Sequence, residues 1–410
     1  MDDRVTMLAT GTTGVAYGNT TPGIDGDVLP IRRAELLAHL SAAFDLAEAR
    51  EEGHAARVTL LALETARALH LDRETRERVF YAALLHDAHL TGNQDEDRLA
   101  AAARAAIHLG LDLGVAGIIR ITRERWDNDG RPTDVLDTDI PVEALCIAAA
   151  HWASNIAEEQ QPLRARARLQ SQDGELDEIA GPKVARALRE ALLDDQTWIH
   201  FWDNKLPSHI ANDVISSAAP TVGEVAEAAA SMGDLVDAAL REPGRARRVS
   251  ALASDLAGQL GMPEGIQRLI GVAGSILDIG QLSVPRAVTE KPAILTIEEM
   301  EMMRRHPGLG SRIVENIPGM GEIALWIEMH HERPDGRGYP EMLTDDELPL
   351  PARILAVADS YWALRADRPY RDALSSEEAI EVIVAGAGEQ YDLAVANALK
   401  AVVRSVELAA

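Results

Sequence analysis

The chain has 410 residues, of which 40 are basic and 66 acidic, and its formal net charge is −26. This excess of negative charge argues against general affinity for nucleic acids or anionic membranes, because both are negatively charged themselves. The single cysteine, Cys146, excludes an intramolecular disulfide and fits a reducing compartment. The sequence has neither a run of roughly 18 apolar residues nor a secretory signal pattern, so we expect a cytoplasmic protein without a membrane span.

Residues 1–30 are rich in Gly and Thr and lack helical periodicity, which predicts a flexible N-terminal arm. Beyond this arm, aromatic residues make up only 4% of the chain and apolar residues recur at intervals of three and four, so we expect an all-α protein. An amphipathic run at 222–240 fits either a spacer between domains or a dimer interface. Before it, helices are predicted at 31–50, 54–70, 74–88, 99–109, 113–125, 141–157 and 183–201.

One segment of the chain occurs twice. His54 precedes His86 by 32 residues, and Arg245 precedes Leu277 by the same number. The stretch TRERWDNDGRP at 122–132 aligns without a gap to HHERPDGRGYP at 330–340, and the register continues through IAAAH and LAVAD. A repeat of this length indicates two homologous helical bundles in tandem, which we place at 31–215 and 216–410.

The repeated positions carry histidines and aspartates in an arrangement suited to metal binding. An adjacent His and Asp at the end of a helix, together with distant histidines and a later Asp or His, provide imidazole and carboxylate ligands for Mn, Fe, Co, Ni or Zn. An incomplete ligand shell leaves room for water, which a bound metal ion makes a nucleophile near neutral pH. In the first copy the candidate ligands are His54, His86, Asp87 and His151.

Four motifs of the second copy resemble the HD-GYP branch of the HD metal-dependent phosphohydrolases. They are HPxxG from His306, HHExxDGxGYP from His330, VAD ending at Asp359, and RPYR from Arg368 to Arg371. The resemblance covers roughly 240–405, whereas the first copy resembles the broader HD superfamily over roughly 50–160. It implies an all-helical bundle that uses divalent metals to cleave a cyclic dinucleotide such as cyclic di-GMP.

The two copies depart from the family pattern in complementary ways. In the second copy, Arg245 and Leu277 replace two histidine ligands and Gln281 replaces a phosphate-contacting lysine. In the first copy, Thr122 and Arg123 replace the paired histidines. The resemblance therefore implies one metal per domain. The implied ligands of the second copy are Asp278, His306, His330, His331 and Asp359.

Three hypotheses for function follow. The first is a phosphohydrolase or phosphodiesterase with mononuclear sites, in which Asp87 and Asp278 are catalytic and Arg368 and Arg371 bind the phosphate of a nucleotide or cyclic dinucleotide. The second is an inactive HD-GYP pseudo-enzyme that senses a nucleotide or metal, or serves as a signalling scaffold. The third is an iron oxygenase on the HD fold.

The resemblance implies two partners, a nucleotide ligand and a signalling protein that contacts the GYP loop, which contains Gly-Tyr-Pro at 338–340. A homodimer is compatible with the predicted helix at 222–240. In related regulators a helix-turn-helix module often follows the second domain. Here the sequence ends at Ala410, so we expect no direct DNA binding.

Overall fold

The structure is a computed structural model, and the part of the chain that it describes is made of helices joined by turns. It contains two isolated β-bridges and no β-sheet, which confirms the all-α prediction. The predicted N-terminal arm at 1–30 lies outside the described residues. Those residues are 37–39, 41, 45, 53–88, 98–127, 140–160, 162–171, 174–203, 222–317, 319–367 and 371–409.

The chain divides into two compact units, Arg32–Ala218 and a second that includes Ala219–Ala410. In the first unit, α1, α2, α5 and α7 pack against one another and enclose the core. The helices of this unit are α1 (His54–Ala68), α2 (Arg73–Leu85), α3 (Arg98–His108), α4 (Leu113–Arg120), α5 (Val142–Glu159), α6 (Pro162–Leu169), α7 (Glu175–Ala191) and α8 (Asp195–Trp202).

In the second unit, α10 packs on α11 and α16, while α14 and α15 form a second pair beside them. Its α-helices are α9 (Val222–Leu240), α10 (Arg245–Gln259), α11 (Glu264–Ser275), α12 (Arg286–Thr289), α13 (Ile297–Met303), α14 (His306–Glu315), α15 (Gly321–Met329), α16 (Leu350–Leu364), α17 (Ser376–Ala385) and α18 (Leu393–Ala409). Short 3₁₀ turns occur at Ile279–Ser283 and Asp345–Glu347. Among the described residues, no helix is both long enough and apolar enough to span a membrane.

The prediction of a single helix at 183–201 was wrong. The structure has α7 ending at Ala191 and α8 beginning at Asp195, because the Asp194 side chain accepts a hydrogen bond from the backbone N–H of Gln196 and starts a new helix. Helix α7 also begins earlier than predicted and bends at Gly181, just before Pro182. The apolar periodicity of the sequence continues across both the bend and the break, so periodicity alone did not predict them.

Helices α1 and α10 start in the same way. Each follows a glycine in the left-handed region, Gly53 with φ 88° and Gly244 with φ 76°, and each receives its cap from an aspartate earlier in the chain. Asp45 accepts hydrogen bonds from the N–H groups of Gly53 and Ala55, and Asp237 accepts one from Ala246. The first side chain of each helix is thereby fixed in the interior of its unit.

Gly280 lets the 3₁₀ turn after Asp278 lie directly against the start of α14. A Cβ atom on Gly280 would overlap the carbonyl oxygen of His306 and would lie 2.6 Å from the backbone nitrogen of Gly310. A side chain at Gly280 would therefore push the turn away from α14. Gly280 thus limits the separation between Asp278 and His306.

Replacing Gly280 with Ala is expected to destabilise the protein by about 2–3 kcal/mol, because the added methyl group overlaps backbone atoms that cannot move independently. Chemical denaturation measures the change. Gly265→Ala on α11 is the matched control: its new Cβ meets nothing within 4 Å, so stability should be unchanged or rise by up to about 1 kcal/mol. Equal effects of the two substitutions would contradict this packing argument.

Burial raises the pKa of Asp237 to about 7, against an ordinary value of about 4. The folded state thus binds this proton more tightly than the unfolded state. Its contribution to stability is full below about pH 4 and is lost as pH rises towards about 7. Because an asparagine oxygen can still accept the Ala246 N–H, Asp237→Asn should flatten the dependence of Tm on pH between 5 and 8. Glu264→Gln on the exposed surface should leave that dependence as it is, and an unchanged profile in Asp237→Asn would disprove the prediction.

Candidate metal centres

The first unit gathers four candidate ligands between three helices. His54 is the first residue of α1, His86 and Asp87 directly follow α2, and His151 lies in the middle of α5. One ligand atom from each lies within 4.8 Å of those of the others. All four residues that the sequence predicted for this site are therefore brought together.

Hydrogen bonds on the outer side of the cluster orient its histidines. His54 Nδ1 donates to Glu158 Oε1 at 2.7 Å, and His86 Nδ1 donates to the carbonyl oxygen of Ala83 at 2.6 Å. A carbonyl oxygen can only accept, so Nδ1 of His86 carries the proton and Nε2 presents its lone pair. A metal-binding histidine is commonly held in this way by a carboxylate or carbonyl on its other nitrogen.

The inward-facing nitrogens converge on one carboxylate oxygen. His54 Nε2 lies 3.6 Å from Asp87 Oδ2, and His86 Nε2 lies 3.4 Å from the same oxygen. His54 Nε2 is buried and makes no hydrogen bond. His86 Nε2 also lies 2.9 Å from His151 Nδ1. Since His86 Nε2 has the lone pair, the His151 Nδ1–H donates to it, and the lone pair of His54 Nε2 is left for a divalent cation beside the Asp87 carboxylate. The donor set therefore fits a metal ion.

Glu158 is a residue of this site that the sequence argument missed. Burial alone would raise its pKa, but the hydrogen bond from His54 and the ion pair with Arg57 lower it to about 2. The carboxylate therefore stays ionised and fixes the His54 ring. Glu158 lies seven residues after His151 on the same face of α5, and that spacing was the available signal.

Arg123 stands where the second copy has His331. Its Nη2 lies 3.4 Å from Asp87 Oδ1, the oxygen that does not face His54 and His86. The Arg123 side chain is 39% exposed. In this unit, Thr122 and Arg123 thus stand in place of the paired histidines of the second copy, and Arg123 lies at the edge of the site.

The second unit assembles three histidines. His306 begins α14, and His330 and His331 directly follow α15. Their ligand nitrogens lie within 4.8 Å of one another, and His306 Nε2 lies 3.4 Å from His330 Nε2. Nδ1 of His306 donates to the carbonyl oxygen of Met303 and Nδ1 of His330 to that of Ile327, so both Nε2 lone pairs face the cluster.

Asp278 lies beside these histidines. Its Oδ1 is 3.6 Å from His306 Nε2 and accepts a hydrogen bond from Gln281 Nε2 at 2.5 Å. Burial acts to raise the pKa of Asp278, but Arg245 and the nearby histidines lower it below its ordinary value. For the His306 imidazole, burial has the opposite effect and lowers the pKa to about 4, so that ring is neutral near pH 7. An ionised carboxylate and neutral imidazoles are the forms that bind metal.

Asp359 has a different partner from the other predicted ligands. Its Oδ1 lies 2.5 Å from Nη2 of Arg245, whereas Asp278 Oδ2 lies 3.3 Å from the same nitrogen. Leu277 is buried and contributes no polar group. The structure thus joins Asp359 to Arg245 and Asp278, and the histidines form a separate group on the other side of Asp278. The sequence identifies Arg245 only as the replacement of a histidine ligand and gives no signal for this ion pair.

The GYP loop closes over the histidine cluster. The Glu332 carboxylate accepts hydrogen bonds from the N–H groups of Glu341 and Leu343, and a Cβ atom on Gly338 would overlap the Glu332 backbone. This tight loop places the Tyr339 ring on His331, with centroids 4.8 Å apart and planes 24° apart. The loop therefore packs the Tyr339 ring against His331.

The two arginines predicted to bind phosphate are placed unequally. Arg368 lies outside the described residues. The guanidinium of Arg371 donates to the carbonyl oxygens of Ala363, Leu364 and Asp372, and so caps the end of α16. Arg371 thus has a structural role at this helix end, and its part in phosphate binding stays a prediction.

Comparisons with known proteins concern mainly the second unit. An HD domain model matches residues 232–395. The cyclic di-GMP phosphodiesterase response regulator RpfG of Xanthomonas campestris is 38% identical over 154 residues, 37% of this chain and 41% of that protein. The 3′3′-cGAMP-specific phosphodiesterase 1 of Vibrio cholerae is 32% identical over 163 residues, 40% of this chain and 38% of that protein. The chain thus spans about two fifths of the length of these curated relatives.

A solved structure extends the likeness in fold to both units. The crystal structure of a cyclic GMP-AMP-specific phosphodiesterase of Vibrio cholerae superimposes with a TM-score of 0.66 at 20% identity, over 92% of this chain and 98% of that one. At this identity the likeness concerns the fold alone. The match over 232–395 shows that the second unit is similar to HD domains, and it supports the resemblance to the HD-GYP branch that the motifs beginning at His306 and His330 predict.

Proposed function

We propose that the second unit hydrolyses a cyclic dinucleotide with one divalent metal ion, held by His306, His330, His331 and Asp278. The observation that carries the proposal is the convergence of three histidines, two of them with lone pairs fixed inwards by backbone carbonyls, beside an ionised carboxylate. Three imidazoles and one carboxylate suit Mn, Fe, Co, Ni or Zn. Relatives over this segment are named as phosphodiesterases of cyclic di-GMP and 3′3′-cGAMP, which supports a cyclic dinucleotide as the substrate.

In the proposed reaction, one P–O bond forms from water and the P–O bond to a sugar oxygen breaks, which opens the ring to a linear dinucleotide. A metal ion bound by these residues would supply positive charge to a phosphoryl oxygen. Asp278 stays ionised and is the group we assign to orient the water. The proton that the water loses finally resides on the departing sugar oxygen. Tyr339 keeps the His331 ring in place and shields it.

For the first unit we propose one metal ion held by His54, His86, Asp87 and His151. Glu158 and the Ala83 carbonyl oxygen orient two of these rings, which supports a site organised before the metal binds. Asp87 corresponds in position to Asp278 and would orient a water there. Binding of a signalling protein to the GYP loop, a homodimer and the second arginine of the phosphate site, Arg368, remain predictions.

A second candidate function is binding of a nucleotide without cleavage. Arg245 and Leu277 favour it, because together they remove the ligands of a second metal ion that a two-metal hydrolase would use. An assay of hydrolysis separates the two candidates, since each predicts binding of a cyclic dinucleotide but only one predicts product.

Metal content tests both proposed sites. Protein purified without chelators and supplied with Mn²⁺ should contain about two ions per chain, and His86→Ala and His330→Ala/His331→Ala should each lose about one, because a site deprived of its histidines binds metal at least about tenfold more weakly. Elemental analysis measures the ratio. His108→Ala, which removes an exposed histidine of the first unit, is the control and should retain both ions. Retention of full metal content in the His330→Ala/His331→Ala protein would rule out the site proposed for the second unit.

Hydrolysis tests the proposed reaction. With Mn²⁺ present, the wild-type chain should convert cyclic di-GMP or 3′3′-cGAMP to a linear dinucleotide. Asp278→Asn should lower kcat by at least about 100-fold, because the ionised carboxylate that holds the metal ion and orients the water is lost. Chromatography of the nucleotides follows the conversion. Asp346→Asn, an exposed carboxylate of the second unit, should keep the wild-type rate. Binding without product in the wild type would favour the non-cleaving alternative.

A further inference from the structure

Arg245 enters the second unit at the position where His54 enters the first. Both are the first residue of their helix, and both follow a left-handed glycine whose helix start is capped by an earlier aspartate. The Arg245 side chain is only 9% exposed. The backbone thus delivers a cationic side chain to the place where the first unit presents a metal-binding imidazole.

Three carboxylates surround this guanidinium. Nη2 lies 2.5 Å from Asp359 Oδ1 and 3.3 Å from Asp278 Oδ2, and Nε lies 2.8 Å from Glu242 Oε2. Asp278 and Asp359 have side chains only 15% and 8% exposed. Two carboxylates at such depth are both ionised only with a cation between them, because solvent cannot screen their repulsion.

Either a divalent metal ion or a guanidinium can meet that need. At this position the chain has lost the imidazoles that would favour a metal, one to Arg245 itself and one to Leu277. An arginine carries its charge at every physiological pH and presents several donors in a fixed plane, which matches two carboxylates. Arg245, which replaces one of these imidazoles, therefore also supplies the positive charge that a metal ion would carry.

We propose that the guanidinium of Arg245 is a built-in cation that takes the place of a metal ion between Asp278 and Asp359. The inference rests on the single-metal site proposed above. It adds that the positively charged guanidinium of Arg245 lies next to that site. Asp278 is the link between the two, with Oδ2 towards Arg245 and Oδ1 towards His306.

The first test restores the missing ligands. In the full chain with His86→Ala, which disables the first unit's site, the second unit should bind about one Mn²⁺, and adding Arg245→His together with Leu277→His should raise the content to about two. Arg247→His is the matched control on the same helix: Arg247 is 45% exposed and pairs with Asp234 and Glu227, so its replacement should leave the content at about one. Two ions in the second unit with Arg245 intact, or one ion in a folded Arg245→His/Leu277→His protein, would overturn the inference.

The second test does not depend on a new metal site. In metal-free full-length protein, Arg245→Met keeps the aliphatic stem but leaves Asp278 and Asp359 without their cation, so Tm should fall by at least about 5 °C. Arg247→Met should change Tm by no more than about 1 °C. An unchanged Tm in Arg245→Met would reject the role of Arg245. If the His86→Ala protein binds no metal while Arg245→Met still lowers Tm, the proposed metal site fails and the role of Arg245 as the cation of this carboxylate pair stands.

Discussion

A largely buried carboxylate with nitrogen groups of histidine and arginine beside both of its oxygens organises each unit. Asp87 has Oδ2 towards His54 and His86 and Oδ1 towards Arg123. Asp278 has Oδ1 towards His306 and Oδ2 towards Arg245. Since an isolated carboxylate is costly to bury, the helices that deliver histidines and arginines to it are constrained to meet there.

The two units keep different histidines around this carboxylate and have an arginine in place of the others. In the first, the ligands His54, His86 and His151 are kept and the paired histidines are lost, with Arg123 in their place. In the second, the later histidines are kept and Arg245 replaces the histidine of the first helix. The ion pairs of the two arginines differ in strength. Arg245 is buried between two carboxylates, whereas the Arg123 side chain is 39% exposed, so water screens its ion pair with Asp87.

Glycines at close backbone contacts and one carboxylate in the GYP loop set the geometry of these contacts. The left-handed glycines before α1 and α10 fix where the first side chain of each helix enters, and Gly280 allows the turn after Asp278 to reach α14. Glu332 and Gly338 tighten the GYP loop so that Tyr339 lies on His331. Small displacements at these points would separate ligand atoms that now lie within 4.8 Å, which ties the packing of the bundle to metal binding.

The sequence by itself determined the all-α class and the HD-GYP likeness of the second unit, because apolar periodicity and motif spacing are local properties of a chain. It also named His54, His86, Asp87 and His151 as one group, since the repeat fixed their register. Only the tertiary structure decided that Glu158 holds His54, that Asp359 pairs with Arg245 and that Arg371 caps α16. These contacts join residues whose partners depend on how helices pack and on which side chains are buried, and neither follows from spacing along the chain.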